Sequence, residues 1–131
     1  IFKTRFKVLT GIPIFHLPYI SSHFSWALFY MDCSKPFKVS KRHYENVFPT
    51  KLSTYIENKL PIIFNKSFKY SHRILSENGL GISINDEEIM YLDLLIKEKS
   101  KEIEKYEKNI NAFISTNNFE DSIKDNLIDF I

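Results

Sequence analysis

The stretch that constrains this chain most is Phe48-Pro-Thr-Lys-Leu-Ser-Thr-Tyr-Ile-Glu-Asn-Lys-Leu-Pro-Ile-Ile-Phe-Asn65, a helix opening that runs straight into a wholly apolar strand. A proline near the first helical turn has its backbone angle preset and gives up an amide hydrogen that has no helical partner there anyway. Phe48-Pro49-Thr50 therefore reads as a helix start. Leu52, Tyr55 and Ile56 then share one face, the spacing of a helix lying on a sheet. Pro61-Ile62-Ile63-Phe64 shows no polar alternation, as expected of a strand covered on both sides. A two-sided strand needs strands beside it and helices on both faces, so this stretch alone points to an α/β layer.

The rest of the chain supplies those elements. Phe6-Lys-Val-Leu-Thr-Gly11 reads as a strand ended by a glycine, residues 12–19 as loop, and Ile20 to Phe24 as a turn or two of helix. Trp26-Ala-Leu-Phe-Tyr-Met31 is a second uninterrupted apolar run, expected to be a central buried strand with Asp32 at its carboxyl end. Residues 33–47 read as a long irregular connection. A helix over Tyr70–Asn78 stops at Asn78-Gly79, and Gly81-Ile-Ser-Ile-Asn85 forms the next strand. Asp86 is the expected cap of a helix carrying Ile89, Leu92 and Ile96 inward. Ile103, Tyr106, Ile110, Phe113 and Ile114 continue the helical period, and Asn118-Phe-Glu-Asp121 reads as a capping box before Ile123, Leu127 and Phe130. No internal repeat stands out.

Composition limits the function classes. The 131 residues suit one domain or a piece of one, and 44% hydrophobic with 15% aromatic content is that of a globular chain. Interspersed charges, 18 basic against 16 acidic, leave a net +2 and give no footprint for nucleic acid. The single cysteine, Cys33, excludes an intrachain disulfide framework and fits a reducing compartment. No apolar run approaches the ~20 residues of a membrane span, and no signal-peptide pattern opens the chain. Ile1 in place of Met leads to the expectation of a processed chain or an excised fragment.

Candidate chemistry gathers at one sheet edge. In open α/β sheets ligands bind beyond the carboxyl ends of the strands, where the segments 11–19, 32–48 and 65–70 are expected. The first-turn amides at Thr50, Lys51 and Leu52, aligned with the helix dipole and joined by the Lys51 ammonium, offer a seat for an anion. A solvated lysine at an ordinary helix start is the competing reading. Glu45 sits close enough in sequence to reach a sugar hydroxyl in such a crevice, and is otherwise a solvated acid. Lys35, Lys38, Lys41 and Arg42 fit a phosphate or an anionic lipid surface as well as an ordinary charged loop. His16, His23, His43 and His72 lack metal-ligand spacing, so no metal is expected. Gly79-Leu-Gly81 follows a helix and precedes a strand, the reverse of a dinucleotide fingerprint.

The order Pro49-Thr-Lys-Leu-Ser-Thr-Tyr-Ile-Glu-Asn-Lys-Leu-Pro-Ile-Ile63, then Gly79-Leu-Gly-Ile-Ser-Ile84, then a helix from Asp86, resembles the carboxyl-terminal domain of GT-B-fold glycosyltransferases. That family shows Pro-Ser-Lys-Leu-x-Glu-Tyr at the helix start, a Gly-x-Pro-Val strand, and Gly-x-Gly before the next short strand. The resemblance spans roughly residues 6–131. It implies a Rossmann-like, mostly parallel sheet of about four strands flanked by helices, with a helical carboxyl-terminal tail. Residues 1–131 are then the donor-binding half of an enzyme moving sugar from a UDP- or GDP-linked donor to a glycan, lipid-linked or surface acceptor.

By the same resemblance Lys51 faces the donor diphosphate, with Thr50 and Leu52 amides beside it, while Gly11 and the run from Ile12 to Phe15 lie against the nucleobase. Thr54 stands where the family carries an acid or glutamine on the ribose, and Asn58-Lys59 replaces the usual small residues. The resemblance leads one to expect an acceptor domain carrying the general base and two further strands with their helix, none of which this sequence matches; the expectation is therefore a fragment, inactive alone, with a reduced homologue that closes its sheet by other means as the alternative. The terminal helix from Asn118 is expected to cross toward that missing domain. The implied setting is bacterial polysaccharide biosynthesis, cytoplasmic, with peripheral contact on the inner membrane face, without cofactor or nucleic acid. A non-catalytic α/β binding or assembly module and a nucleotide-sugar epimerase of the same fold are the alternatives.

Overall fold

A computed structural model describes Pro13, residues 16–31 and residues 40–117. The expected Phe6 strand, Gly11, Ile12, Phe15, Cys33, Lys35, Lys38 and the expected helix from Asn118 lie outside the described residues. The described chain runs α1 (Leu17–Ser21), β1 (Ala27–Phe29), α2 (Lys41–Glu45), α3 (Thr50–Glu57), β2 (Ile62–Asn65), α4 (Lys69–Glu77) and β3 (Gly81–Ile84). It continues through a 3-10 turn (Glu88–Tyr91), α5 (Leu92–Lys99), a second such turn (Ser100–Glu102) and α6 (Ile103–Thr116).

Among the described residues the sheet has three parallel strands in the order β1-β2-β3, with Ala27, Ile62 and Gly81 in one row and Phe29, Phe64 and Ser83 in another. Side chains alternate between faces along a strand, and the two faces meet different helices. Ala27, Phe29, Ile62 and Phe64 pack with Leu52 and Ile56 of α3 and Leu75 of α4. Ile63, Ile82 and Ile84 meet Ile89, Leu92, Leu95 and Ile96 on the other side. β2 is buried along its whole length, which is what its unbroken apolar run requires. α6 crosses the amino ends of the strands: Asn109 Nδ2 donates to the Gly79 carbonyl at 3.0 Å, Tyr106 meets Trp26 edge-on at 5.5 Å, and Ile110 reaches the α3–α4 side.

Several boundaries differ from the sequence reading, each for a local reason. The Trp26 run pairs only over Ala27–Phe29, and Leu28 is 45% exposed because α5 covers the β2–β3 part of that face and leaves β1 open. Segment 33–47 is not irregular throughout: Lys41–Glu45 winds a short helix on which Tyr44 meets Phe68 at 5.7 Å. The early helical turn lies at Leu17–Ser21, within and beyond the expected loop, with Pro18 in its first turn. The cap after β3 is Asn85 rather than Asp86. Asn85 Oδ1 accepts from the Glu88 amide at 3.0 Å while Glu88 Oε2 accepts from the Asn85 amide at 2.8 Å, a reciprocal capping box.

The two helix-to-strand junctions on the α3–α4 face are built alike. Lys59 and Gly79 both sit at positive φ, 59° and 60°, two residues past the ends of their helices and directly after the capping residues Asn58 and Asn78. In each, the next amide reaches back to close a Schellman motif: Leu60 to the Tyr55 carbonyl at 3.0 Å, Leu80 to the Leu75 carbonyl at 2.9 Å. Asn58 and Asn78 each donate their side-chain amide to the carbonyl four residues back, both at 2.8 Å. Glu57-Asn-Lys-Leu-Pro-Ile62 and Glu77-Asn-Gly-Leu-Gly-Ile82 are thus one structural phrase used twice, a recurrence too short to stand out in the sequence.

Candidate functional site

A helix that connects two parallel strands must run back antiparallel to them, so α3 opens at the carboxyl edge of the sheet. Three contacts fix the chain that leads into it. Ser71 Oγ donates to the Val47 carbonyl at 2.7 Å, Phe68 lies edge-on to Phe29 at 5.1 Å, and Glu45 Oε1 pairs with Lys69 Nζ at 2.9 Å. Pro49 then occupies the N-cap, where among the described residues no side chain caps the helix. Leu52 is fully buried, which anchors the first turn in the core, and its amide is taken by the Pro49 carbonyl at 2.9 Å. Thr50 and Lys51 are exposed on that turn, and Lys51 has no ion pair among the described residues.

The strand ends beside this helix start are tied by a buried polar network centred on Asn65, the last residue of β2 and fully buried. Its Nδ2 donates to the Met31 carbonyl and to Asp86 Oδ1, both at 2.8 Å, and its Oδ1 accepts from the Ser67 amide at 2.8 Å. Tyr30 donates its hydroxyl to the same Asp86 oxygen at 3.2 Å. The ends of β1, β2 and β3 are thereby held at fixed separation, which gives the edge a rigid floor. The sequence reading missed this network. Its one signal was an asparagine closing an otherwise apolar strand, since a buried amide must satisfy both ends.

The structure brings some candidate residues together and spends others elsewhere. Thr50, Lys51 and Leu52 share the first turn of α3 as expected. Thr54 donates its hydroxyl to the Thr50 carbonyl at 3.3 Å, a bond within its own helix. Glu45 lies on α2, its side chain only 19% exposed, engaged by Lys69 and by Lys41 at 3.9 Å. Gly11, Ile12 and Phe15 fall outside the described residues. Beside the Glu45 pair runs a cleft of about 490 Å³ bordered by Asn46, Lys69, Tyr70 and Arg73.

Among the described residues, two shifted groups lie at the opposite end of the sheet. Burial pushes the Tyr106 phenol up, helped by the Glu102 carboxylate and opposed by Lys99. The hydrogen bond from Lys99 to Glu102, 3.1 Å long, holds the ammonium above its ordinary range. Among the described residues, no three His, Cys, Asp or Glu side chains cluster closely enough to hold a metal ion. No described helix is long and apolar enough to cross a membrane. Comparison of the chain with family models, curated proteins and solved structures gives no match.

Proposed function

We propose that this chain is the donor-binding part of a glycosyltransferase, taking a UDP- or GDP-linked sugar at the carboxyl edge of its sheet. One observation carries the reading: α3 opens at that edge on an exposed first turn that, among the described residues, has no side-chain cap and no ion pair on Lys51, while Leu52 is locked in the core. Positive charge from the first-turn amides and from the ammonium would oppose the negative charge that grows on the leaving diphosphate as the sugar–oxygen bond breaks. Because the turn is rigid, that charge is in place before the reaction and costs little reorganisation. In this reading the sheet has about four strands, and the run after Gly11 lies against the nucleobase. An acceptor-binding domain elsewhere in the protein supplies the general base. The acceptor is a glycan, lipid-linked or surface group met in the cytoplasm or at the inner membrane face, with no metal.

Calorimetry with UDP, GDP and their sugars on the protein together with its acceptor domain tests this. Lys51→Ala is expected to weaken diphosphate binding by about tenfold to a hundredfold, the loss of one charge-assisted hydrogen bond, without lowering the melting temperature. Absence of nucleotide binding, or identical affinity in the variant, rejects it. A second reading, a non-catalytic α/β binding or assembly module, draws on the engagement of Glu45 by Lys69 and of Thr54 by its own helix. Donor turnover without acceptor would point instead to an epimerase.

A further inference from the structure

Two unlike rows of side chains run next to each other along the outer side of α4. Lys69 and Arg73 are one helical turn apart, and so are Tyr70 and Ile74, so the cations form one row and the apolar pair its neighbour. Ser71 and Leu75 are the residues of this helix that enter the core. Each row borders its own concavity. A groove of about 580 Å³ between α3, α4 and the end of α6 has Phe48, Ile56, Tyr70, Ile74, Phe113 and Ile114 along it. The cleft beside Glu45 has Lys69 and Arg73 along it, and Tyr70 belongs to both.

Cations outnumber acids at that cleft. Lys41 and Lys69 both approach Glu45 Oε1, at 3.9 and 2.9 Å, so a single carboxylate meets two ammonium groups. The Lys69 side chain is 70% exposed, which leaves its ammonium donors open to a further acceptor. Arg73 has no ion pair among the described residues, and its guanidinium lies over the Tyr70 ring at 5.4 Å, on the seam between cleft and groove. The far end of the groove carries the opposite sign. Both α3 and α4 run from the carboxyl edge of the sheet toward its amino edge, so Glu57, the last residue of α3, lines the groove at the end away from Lys69. An anionic group is therefore drawn to the Lys69 and Arg73 mouth and repelled from the other.

We propose that this surface holds a phosphate-headed lipid, with the phosphate between Lys69 and Arg73 and the hydrocarbon chain along Phe48, Ile74 and Phe113. Continuity at Tyr70 selects an amphiphile. A free phosphate leaves the apolar groove in water, and a neutral hydrocarbon leaves the cations unused. The planar Arg73 fork suits phosphate oxygens, and an apolar surface rimmed by charge is the usual form of an interaction site. The inference is independent of the donor reading, since neither Lys51 nor the Asn65 network takes part.

Titration calorimetry on the full chain tests it with three probes. They are lauroyl lysophosphatidic acid below its micelle concentration, lauroyl lysophosphatidylcholine with the same chain and a zwitterionic head, and glycerol phosphate with the head and no chain. Lysophosphatidic acid is expected to bind about tenfold or more tighter than lysophosphatidylcholine, the effect of charge-assisted hydrogen bonds. It is expected to exceed glycerol phosphate by about a hundredfold or more, since each methylene removed from water multiplies affinity about fourfold. Lys69→Gln with Arg73→Gln, both at exposed positions, is expected to abolish the preference between the two lipids and leave lysophosphatidylcholine binding unchanged. Ile74→Glu is expected to weaken lysophosphatidic acid by about tenfold or more. Equal affinity for the two lipids in the parent overturns the inference, as does glycerol phosphate binding as tightly as the lipid. Unchanged binding in either variant, or no binding of either lipid, also rejects it. Lys51→Ala is expected to bind lysophosphatidic acid as the parent does; loss there assigns the anion to α3 and overturns the site, whereas lipid binding without nucleotide binding rejects the donor reading alone.

Discussion

The twin junctions after α3 and α4 give a paired prediction whose two halves have opposite signs. Lys59 holds φ at 59°, a conformation that costs an L-residue about 1–2 kcal/mol relative to glycine. Glycine regains this but loses about 0.4–1 kcal/mol through the greater freedom it gives the unfolded chain. Lys59→Gly is therefore expected to stabilise the protein by about 0.5–1 kcal/mol. The reverse change at the sister position is penalised twice. Gly79 has φ 60°, and a Cβ there would stand 2.6 Å from Asn109 Nδ2, the group that donates to the Gly79 carbonyl. Strain and a disturbed hydrogen bond, less the entropic gain, give Gly79→Ala a loss of about 1–2 kcal/mol. For a chain of 131 residues one kcal/mol corresponds to a shift of roughly 4 °C in melting temperature. Urea unfolding of both variants and the parent, with a common slope, measures the differences. Destabilisation by Lys59→Gly, or no change in Gly79→Ala, would refute the claim that the two junctions are the same motif with an unsuitable residue in one.

Three other perturbations probe the sheet and its edge. Asn65→Asp replaces a buried donor amide with a carboxylate facing the Met31 carbonyl and Asp86, and is expected to cost about 3–5 kcal/mol at neutral pH. Burial and the neighbouring carboxylate raise the folded-state pKa of the new group above its unfolded value. The penalty therefore grows as pH rises and shrinks below the ordinary aspartate range, so a difference from the parent that is flat between about pH 4 and pH 8 contradicts the network. Gly81→Ala places a Cβ against the Ile62 carbonyl, inside the β2–β3 ladder; a loss of about 3 kcal/mol or more is expected by thermal unfolding, and a neutral variant contradicts that close approach. Glu45→Gln removes a partly exposed pair with Lys69 and is expected to cost about 0.5–1 kcal/mol; persistence of the full difference in molar salt argues against an ionic origin.

Much of this architecture was legible because burial leaves a direct trace in residue type. The Pro61–Phe64 run could only be a strand covered on both sides, and β2 is buried throughout. Pro49 marked the opening of α3, and Asn78-Gly79 marked the close of α4, since proline and glycine fix backbone angles locally. Leu52, Ile56, Ile89, Leu92 and Ile96 turned inward as their spacing required.

What sequence could not decide depends on partners distant along the chain. The apolar run at Trp26–Met31 promised a central strand, but Leu28 is exposed because coverage is set by where α5 comes to rest. Asp86 had the composition of a cap, yet its carboxylate is drawn across the sheet edge by Asn65 and Tyr30, 21 and 56 residues away, and Asn85 caps in its place. Glu45 looked like a free loop acid until α4 placed Lys69 against it. The sequence by itself determined the α/β layering and the opening of a helix at Thr50 with Lys51 on its first turn, because periodicity and backbone restriction act within a few residues. Tertiary structure decided that this turn stands uncapped beside a floor pinned by Asn65, because a buried polar group takes whichever partners the folded strand ends bring within reach.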